Sequence, residues 1–294
     1  MEGPYVIKLE GVLNTRNIGG FVTQSGKMLK AGLLFRSAQM DAENAVTITE
    51  KGILTATEEL KIKTDLDLRK TEQVPFSLYE KNVGPLGKGV RHVHYVSKEY
   101  CEFIKGESNE GDIMRVFADV NNYPILFHCV WGADRTGTVA YLLEMLAGVE
   151  LEDRLKDYEI TGSRDRNNTG LQAMISYIEE NFDGNTDEEK AYGVFSKNFA
   201  LTEMEISNIK NILLTDSAVF SAESLKTSKL NENGEYKFKL IMRSSKSIKS
   251  VQYDNKNVEF SFDDGILSLY GINPLKCAVG TILLDDENEL RFAF

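Results

Sequence analysis

The chain has 294 residues, a length for one large domain or two ordinary ones, and 42% of them are hydrophobic, enough for a substantial core. With 45 acidic against 34 basic residues the net charge is −11. An acidic chain argues against broad nucleic-acid or anionic-membrane binding, so any anionic substrate must be met by a local positive site.

Gly11–Met40 mixes short apolar runs with Gly-Gly and Ser-Gly turns, and Gly32–Ser37 reads as a buried strand running into a loop. Thr49–Lys61 is expected to be helical, because Ile53, Leu54, Ala56 and Leu60 fall near helical spacing. Ile62–Leu68 is a short strand ending in Asp67-Leu68-Arg69. Gly84–Gly89 is a loop, and Val90–Val96 alternates as a strand. Asp112–Asn121 is a helix opened by an acidic residue. Pro124–His128 is nearly continuously apolar, as a strand covered on both faces would be. Cys129–Asp134 is a loop and Arg135–Leu146 a strong helix. Further helices are expected near Glu152–Ile160, Gly170–Asn181, Asp187–Asn198 and Thr202–Leu214.

After about Leu214 the pattern changes to strict alternation, at Tyr236–Arg243 and again at Val258, Phe260 and Phe262. Asp264-Gly265 is a hairpin turn signal. Cys277–Leu284, a turn at Asp285–Asn288, and Leu290–Phe294 read as a closing hairpin. The expected fold class is α/β: a central mixed or parallel sheet flanked by helices over residues 1–214, then a small all-β, sandwich-like accessory domain over 215–294.

The cysteines Cys101, Cys129 and Cys277 are odd in number and far apart, so no disulfide framework is implied and a reducing setting fits best. No apolar run reaches the roughly 18 residues that cross a membrane. Met1–Asn14 lacks a signal peptide's apolar stretch. The expected setting is cytoplasmic, with a secreted protein whose signal has been removed as the alternative.

The chemistry concentrates in His128-Cys129-Val130-Trp131-Gly132-Ala133-Asp134-Arg135-Thr136-Gly137. A buried strand delivers Cys129 to a sheet end, a short loop follows, and a helix begins near Arg135. Successive loop N–H groups can converge on one oxyanion, and the helix N-terminus adds partial positive charge. Both stabilise a thiolate at Cys129 and a bound phosphate. Arg135 can grip two phosphoryl oxygens in a fork that Lys cannot copy. Val130, Trp131, Gly132 and Ala133 supply the substrate-binding loop, with Gly132 allowing close approach. Thr136 can offer its hydroxyl to the sulfur, and His128 can hold the loop's shape.

The segment resembles the P-loop signature of the protein-tyrosine phosphatases. More closely, Cys129-x-x-Gly132-x-Asp134-Arg135-Thr136-Gly137 is similar to the bacterial atypical protein-tyrosine/dual-specificity phosphatase family. Three further motifs carry the resemblance in order: Asn14-Thr15-Arg16-Asn17-Ile18-Gly19-Gly20, Gly32–Ser37 and Asp67-Leu68-Arg69. The resemblance covers about Leu13–Leu214 and leaves the β tail outside. It implies a cysteine-phosphatase fold, a phosphocysteine intermediate and no cofactor. Many members carry Lys where this chain has Ala133, which weakens the case for highly charged phosphoinositides.

The general acid is expected to be Asp134, in the loop and within reach of a bound phosphate, or Asp67. The bland reading of Asp67 is a carboxylate paired with Arg69. For Arg16 and Arg36, structural ion pairing is preferred to substrate contact. Ser163–Asn168 is either part of the substrate rim or a solvated loop. His92 and His94 alternate on a strand, but no third ligand is evident and no metal is expected.

The expected function is a cysteine-dependent phosphomonoester hydrolase, first of all a protein-tyrosine phosphatase, acting on a phosphorylated protein or small phosphoester. An inositol-phosphate or phosphoinositide phosphatase, a non-catalytic phosphate-binding module and a sulfurtransferase are the competing readings. The β tail is expected either to bind a partner or to buttress the catalytic half. Neither nucleic acid nor membrane insertion is expected.

Overall fold

The structure, a computed structural model, describes residues 6–21, 23–25, 27–41, 47–75, 83–214, 219–221, 228–229, 236–243, 248–263, 266–272, 279–284 and 289–293. Cys277 and the turns expected at Asp264-Gly265 and Asp285–Asn288 lie outside them. The chain divides into two compact units, one of residues 6–18 and 32–213, the other of residues 1–5, 19–31 and 214–294.

The first unit is built on a five-stranded sheet. Its strands are β1 (Arg16–Asn17), β2 (Leu34–Ser37), β3 (Thr64–Asp67), β4 (Arg91–His94) and β5 (Ile125–His128), in the order β1-β2-β5-β3-β4. β5 lies parallel to β2 on one side and to β3 on the other, β4 continues parallel outside β3, and β1 closes the edge antiparallel to β2. Every residue of β5 is buried, as its unbroken apolar run requires of a central strand. In register, Ser37 and Asp67 flank His128. The chain therefore leaves the sheet at Cys129 from the middle of three parallel strand ends, the place where open α/β sheets bind ligands.

Helix α1 (Glu50–Leu54) is capped by the Thr49 side chain and runs into a π-turn at Thr55–Glu59, so the helix expected over Thr49–Lys61 is present but wider in its second half. α2 (Tyr100–Ile104) was not legible, because five residues are too few to show a helical period. α3 (Glu110–Val116) starts two residues before the expected Asp112 and stops short of Asn121. Asp119 captures the Asn121 N–H and begins a separate 3-10 turn at Val120–Asn122 instead. α4 (Asp134–Leu146) follows the loop after β5, and every residue from Arg135 to Leu146 is buried. The helix is enclosed on all sides, its polar Arg135, Thr136, Thr138 and Glu144 included. α5 (Leu151–Ile160), α6 (Thr169–Asn181), α7 (Asp187–Gly193, continuing as a π-turn to Asn198) and α8 (Glu203–Leu213) complete the unit near their expected places.

The second unit is all-β where described. One antiparallel sheet has the order β10 (Lys256–Asn257), β9 (Ile248–Tyr253), β13 (Val279–Leu284), β14 (Glu289–Ala293). The other has β11 (Phe260–Asp263), β12 (Ile266–Ile272), β8 (Tyr236–Arg243), β6 (Val219–Ser221), with β7 (Ser228–Lys229) also paired to β8. Alternation places Val251, Tyr253, Leu267, Leu269 and Ile282 inside. Among the described residues no helix is long and apolar enough to cross a membrane.

Phe127 is fully buried in the central strand, edge-to-face with Phe117 at 5.6 Å between ring centres. Phe127→Ala is expected to cost about 3–5 kcal/mol in urea unfolding; a loss below about 1 kcal/mol would show that this position is not the packed centre.

Candidate active site

The loop from Cys129 to Ala133 is held from outside by its carbonyls. Val130 O accepts from Gln39 N at 3.1 Å. Trp131 O and Gly132 O accept from the Asn14 amide at 3.0 and 3.1 Å. Gly132 O and Ala133 O accept from Arg36 Nη2 at 2.8 and 3.4 Å. In a trans peptide the next residue's N–H points opposite to the carbonyl. Capturing four successive carbonyls from behind therefore turns the N–H groups of Trp131, Gly132, Ala133 and Asp134 toward the opposite, concave side, where they form a nest for an anion beside Cys129. Gly132 is obligatory: its φ is +65°, and a Cβ there would stand 2.3 Å from Ser37 O.

The captors are themselves fixed by one carboxylate. Asp157 on α5 takes Arg16 Nε on Oδ1 at 2.8 Å and Arg36 Nη1 on Oδ2, and its backbone O takes Arg16 Nη2 at 2.9 Å. Arg16 in turn donates to the Asn14 side-chain oxygen, so the Asn14 NH2 faces the loop. Arg16, Arg36 and Asp157 are all buried, which bears out ion pairing for the two arginines. Glu144 on α4 lies among them with both oxygens lacking a hydrogen-bond partner. Burial first, then the charge of Asp157, pushes its carboxyl well above the ordinary range.

A second buried cluster supports the other side. Arg69 donates to both oxygens of Asp67 through Nε (3.0 Å each) and Nη2 (2.7 Å), and reaches Asp41 at 2.7 Å. Asp67 is fully buried, so the pairing with Arg69 is realised and both of its oxygens are committed. The Leu68 carbonyl between them accepts from Arg135 Nη1 at 3.2 Å, and Gln73 Oε1 accepts from the same nitrogen at 2.8 Å. These contacts turn Arg135, the second residue of α4, toward the loop's open side.

Beneath the loop His128 Nε2 lies 3.2 Å from Asp65, off-line for a hydrogen bond. Burial disfavours the His128 cation, but Asp67 and Asp65 outweigh it and raise the imidazole to about 9. His92 also binds Asp65, at 3.0 Å, and His94 donates to Arg69 O at 2.9 Å. Both histidines are thus engaged, and among the described residues no cluster is arranged to hold a metal.

Asp134 opens α4 and faces out. Arg164 clamps it with two bonds of 2.7 Å, and the Tyr100 hydroxyl donates to Oδ1. Burial alone would raise the Asp134 carboxyl; the bonds from Arg164 and Tyr100 hold it below the ordinary range. Trp131 is 67% exposed, a rim residue rather than packing beneath the loop. Thr136 is buried with no hydrogen-bond partner on its hydroxyl, which leaves that proton available.

A family profile described as "Tyrosine phosphatase family" matches residues 7–218. The chain belongs to that family. It is a cysteine-dependent phosphatase, with the loop just described at its signature. No curated protein matches the chain. Among solved structures it is similar to the core catalytic domain of the PP-IP phosphatase SIW14 from S. cerevisiae in complex with citrate (18% identity, 54% of this chain and 85% of that one, TM-score 0.36). A Siw14 catalytic core (17% identity, 66% and 95%, TM-score 0.37) and Tk-PTP in the active form (17% identity, 54% and 99%, TM-score 0.35) are further likenesses.

Cys129 follows β5 and Arg135 lies in the first turn of α4, with the loop between them, while Asp134 is partly exposed and Asp67 fully buried. Sequence reading missed Asp157, Gln39, Gln73 and Tyr100. The Asn14 motif was a usable signal for the first of these layers, but nothing in the sequence marks Asp157 as its anchor.

Asp157→Asn leaves two buried guanidinium groups without a counter-charge, so unfolding free energy should drop by about 3–5 kcal/mol and phosphatase turnover with it. Unchanged melting and turnover would dismiss the anchor. His128 predicts a pH dependence. Its ordinary value is about 6.5 and the folded one about 9, so its stabilising charge is complete below the first and disappears as pH climbs to the second. Asp65 and Asp67, both held low, stay ionised throughout that window. The melting temperature should fall from pH 6.5 to 9, and His128→Asn should flatten most of that slope, with His92 supplying the rest.

Proposed function

We propose that this phosphatase is a protein-tyrosine phosphatase acting through a phosphocysteine intermediate. The observation that supports a singly phosphorylated substrate is the pairing of the arginines around the loop. Arg16 and Arg36 share Asp157, Arg69 is paired with Asp67 and Asp41, and Arg164 with Asp134. Arg135 differs: among the described residues the carboxylate paired with it, Glu99, is 3.9 Å away, and its close partners are the neutral Leu68 carbonyl and Gln73 amide. One clamp suits one phosphoryl group. Ala133 adds no further charge, and the exposed indole of Trp131 offers an apolar rim for an aromatic leaving group.

In the first step the Cys129 thiolate attacks phosphorus, the S–P bond forms, and the P–O bond to the tyrosine oxygen breaks. Arg135 and the loop N–H groups hold the equatorial oxygens as charge shifts onto them. Asp134, partly exposed at the start of α4, protonates the leaving phenolate; Asp67, fully buried against Arg69, is a structural charge. In the second step water attacks the phosphocysteine, its proton passes to Asp134, and the thiolate leaves with the Thr136 hydroxyl available to it.

A panel of phosphotyrosine peptide, phosphoserine peptide and inositol hexakisphosphate, assayed in chelator, tests this. Wild type should hydrolyse phosphotyrosine best, Cys129→Ser should be inactive, and Arg135→Lys should lose roughly 10²-fold or more. Turnover surviving in Cys129→Ser refutes the nucleophile, and a preference for the inositol phosphate refutes the substrate class.

A further inference from the structure

Asp134 is held by more than its own helix. Its Oδ1 accepts from the Tyr100 hydroxyl and from Arg164 Nε at 2.7 Å, whereas Oδ2 accepts from Arg164 Nη2 at 2.7 Å. The two oxygens are therefore unequal. Oδ1 is anchored twice, and Oδ2 need give up one contact to take a proton.

Tyr100 is itself fixed from every side. Its backbone N–H donates to Thr138 Oγ1 at 2.9 Å, and Thr138 donates to the Asp134 carbonyl at 2.9 Å. Its hydroxyl lies 2.6 Å from that of Tyr158. Its ring rests against Gly170, where a Cβ would stand 2.5 Å away. Its φ is +53°, a conformation that a bulky residue adopts only when its surroundings over-determine it. This much construction around one tyrosine is out of proportion to opening a five-residue helix.

We propose that Tyr100 and Arg164 are positioning residues that aim Asp134 so that Oδ2 carries the proton to the leaving oxygen. The proposal rests on the reading of Asp134 as general acid. In the step the Oδ2–H bond breaks, the proton goes to the ester oxygen, and the electron pair stays on Oδ2, where Arg164 Nη2 closes onto it again. Arg164 thus binds the product carboxylate better than the acid, a stabilisation that grows along the proton transfer. Tyr100 keeps Oδ1 in place throughout. Burial and the Asp134 contact push its phenol far above the ordinary range, so it stays a donor. The charged and titratable groups facing Asp134 are Arg164, Tyr100, Tyr158 and Arg135.

The test uses the full chain with phenyl phosphate, whose leaving group needs a proton, and p-nitrophenyl phosphate, whose leaving group does not. Asp134→Asn should lose about 10²-fold on the first and little on the second. Tyr100→Phe should lose about tenfold on phenyl phosphate alone. It should also move the alkaline limb of kcat/KM upward, because a bond favouring the ionised carboxyl is gone. Arg164→Gln should move that limb up by about one pH unit or more, and its side chain is 33% exposed, so the variant is expected to fold. Arg164→Lys keeps the charge but not the fork, so the limb should stay and the rate fall. Equal losses on both substrates in Asp134→Asn would remove the acid and the proposal with it. A selective loss in Asp134→Asn beside an unmoved limb and equal losses in Tyr100→Phe and Arg164→Gln would overturn the proposal while leaving the acid in place.

Discussion

The site depends on a single buried carboxylate. Asp157 fixes Arg16 and Arg36, Arg16 fixes Asn14, and Asn14 and Arg36 take the carbonyls of Trp131, Gly132 and Ala133. An anion-binding loop left to itself has no reason to present its N–H groups in concert, because each peptide can rotate to bring a carbonyl inward. Holding the carbonyls outward removes that freedom before any phosphate arrives. The charge needed for binding is then preorganised, which is how a dipolar site outperforms water.

Such a network is costly to bury. Two guanidinium groups and a carboxylate must leave water, and their mutual attraction repays that only with good geometry. Here Asp157 takes a donor on each oxygen and a third on its backbone carbonyl, and burial beside it pushes the Glu144 carboxyl well above its ordinary range. The second cluster, Asp65, Asp67, His128 and Arg69, does the complementary work of holding the strand ends together under Cys129. With these arginines spent on structure, Arg135 differs in having a neutral carbonyl and a neutral amide as its close partners.

The strands were legible where composition alone decides. Ile125–Phe127 is apolar on both faces, as a central strand is. Arg135–Leu146 carries Val139, Leu142, Leu143 and Leu146 at helical spacing and is a helix, as expected. Short or mixed elements were not. The helix at Tyr100 has too few residues for a period to show, and its one telling feature, a left-handed φ on a tyrosine, has no sequence signature. The helix expected to run to Asn121 stops at Val116 because a side-chain cap at Asp119, a local competition, overrides the wider pattern.

What the sequence determined by itself is the strand–loop–helix passage that carries Cys129, Gly132, Arg135 and Thr136, because chain neighbours there are also spatial neighbours. It also determined that Arg16, Arg36 and Arg69 carry some weight, through their motifs. What only the tertiary structure decided is the use made of each charge. Asp67 and Asp134 are both aspartates beside a phosphate loop, and nothing in the sequence separates them. One is buried with both oxygens on Arg69, and the other meets Arg164 and Tyr100, residues 30 and 34 positions away along the chain. A carboxylate's role depends on the partners around it, and those partners are assembled by folding from segments that the sequence lists far apart.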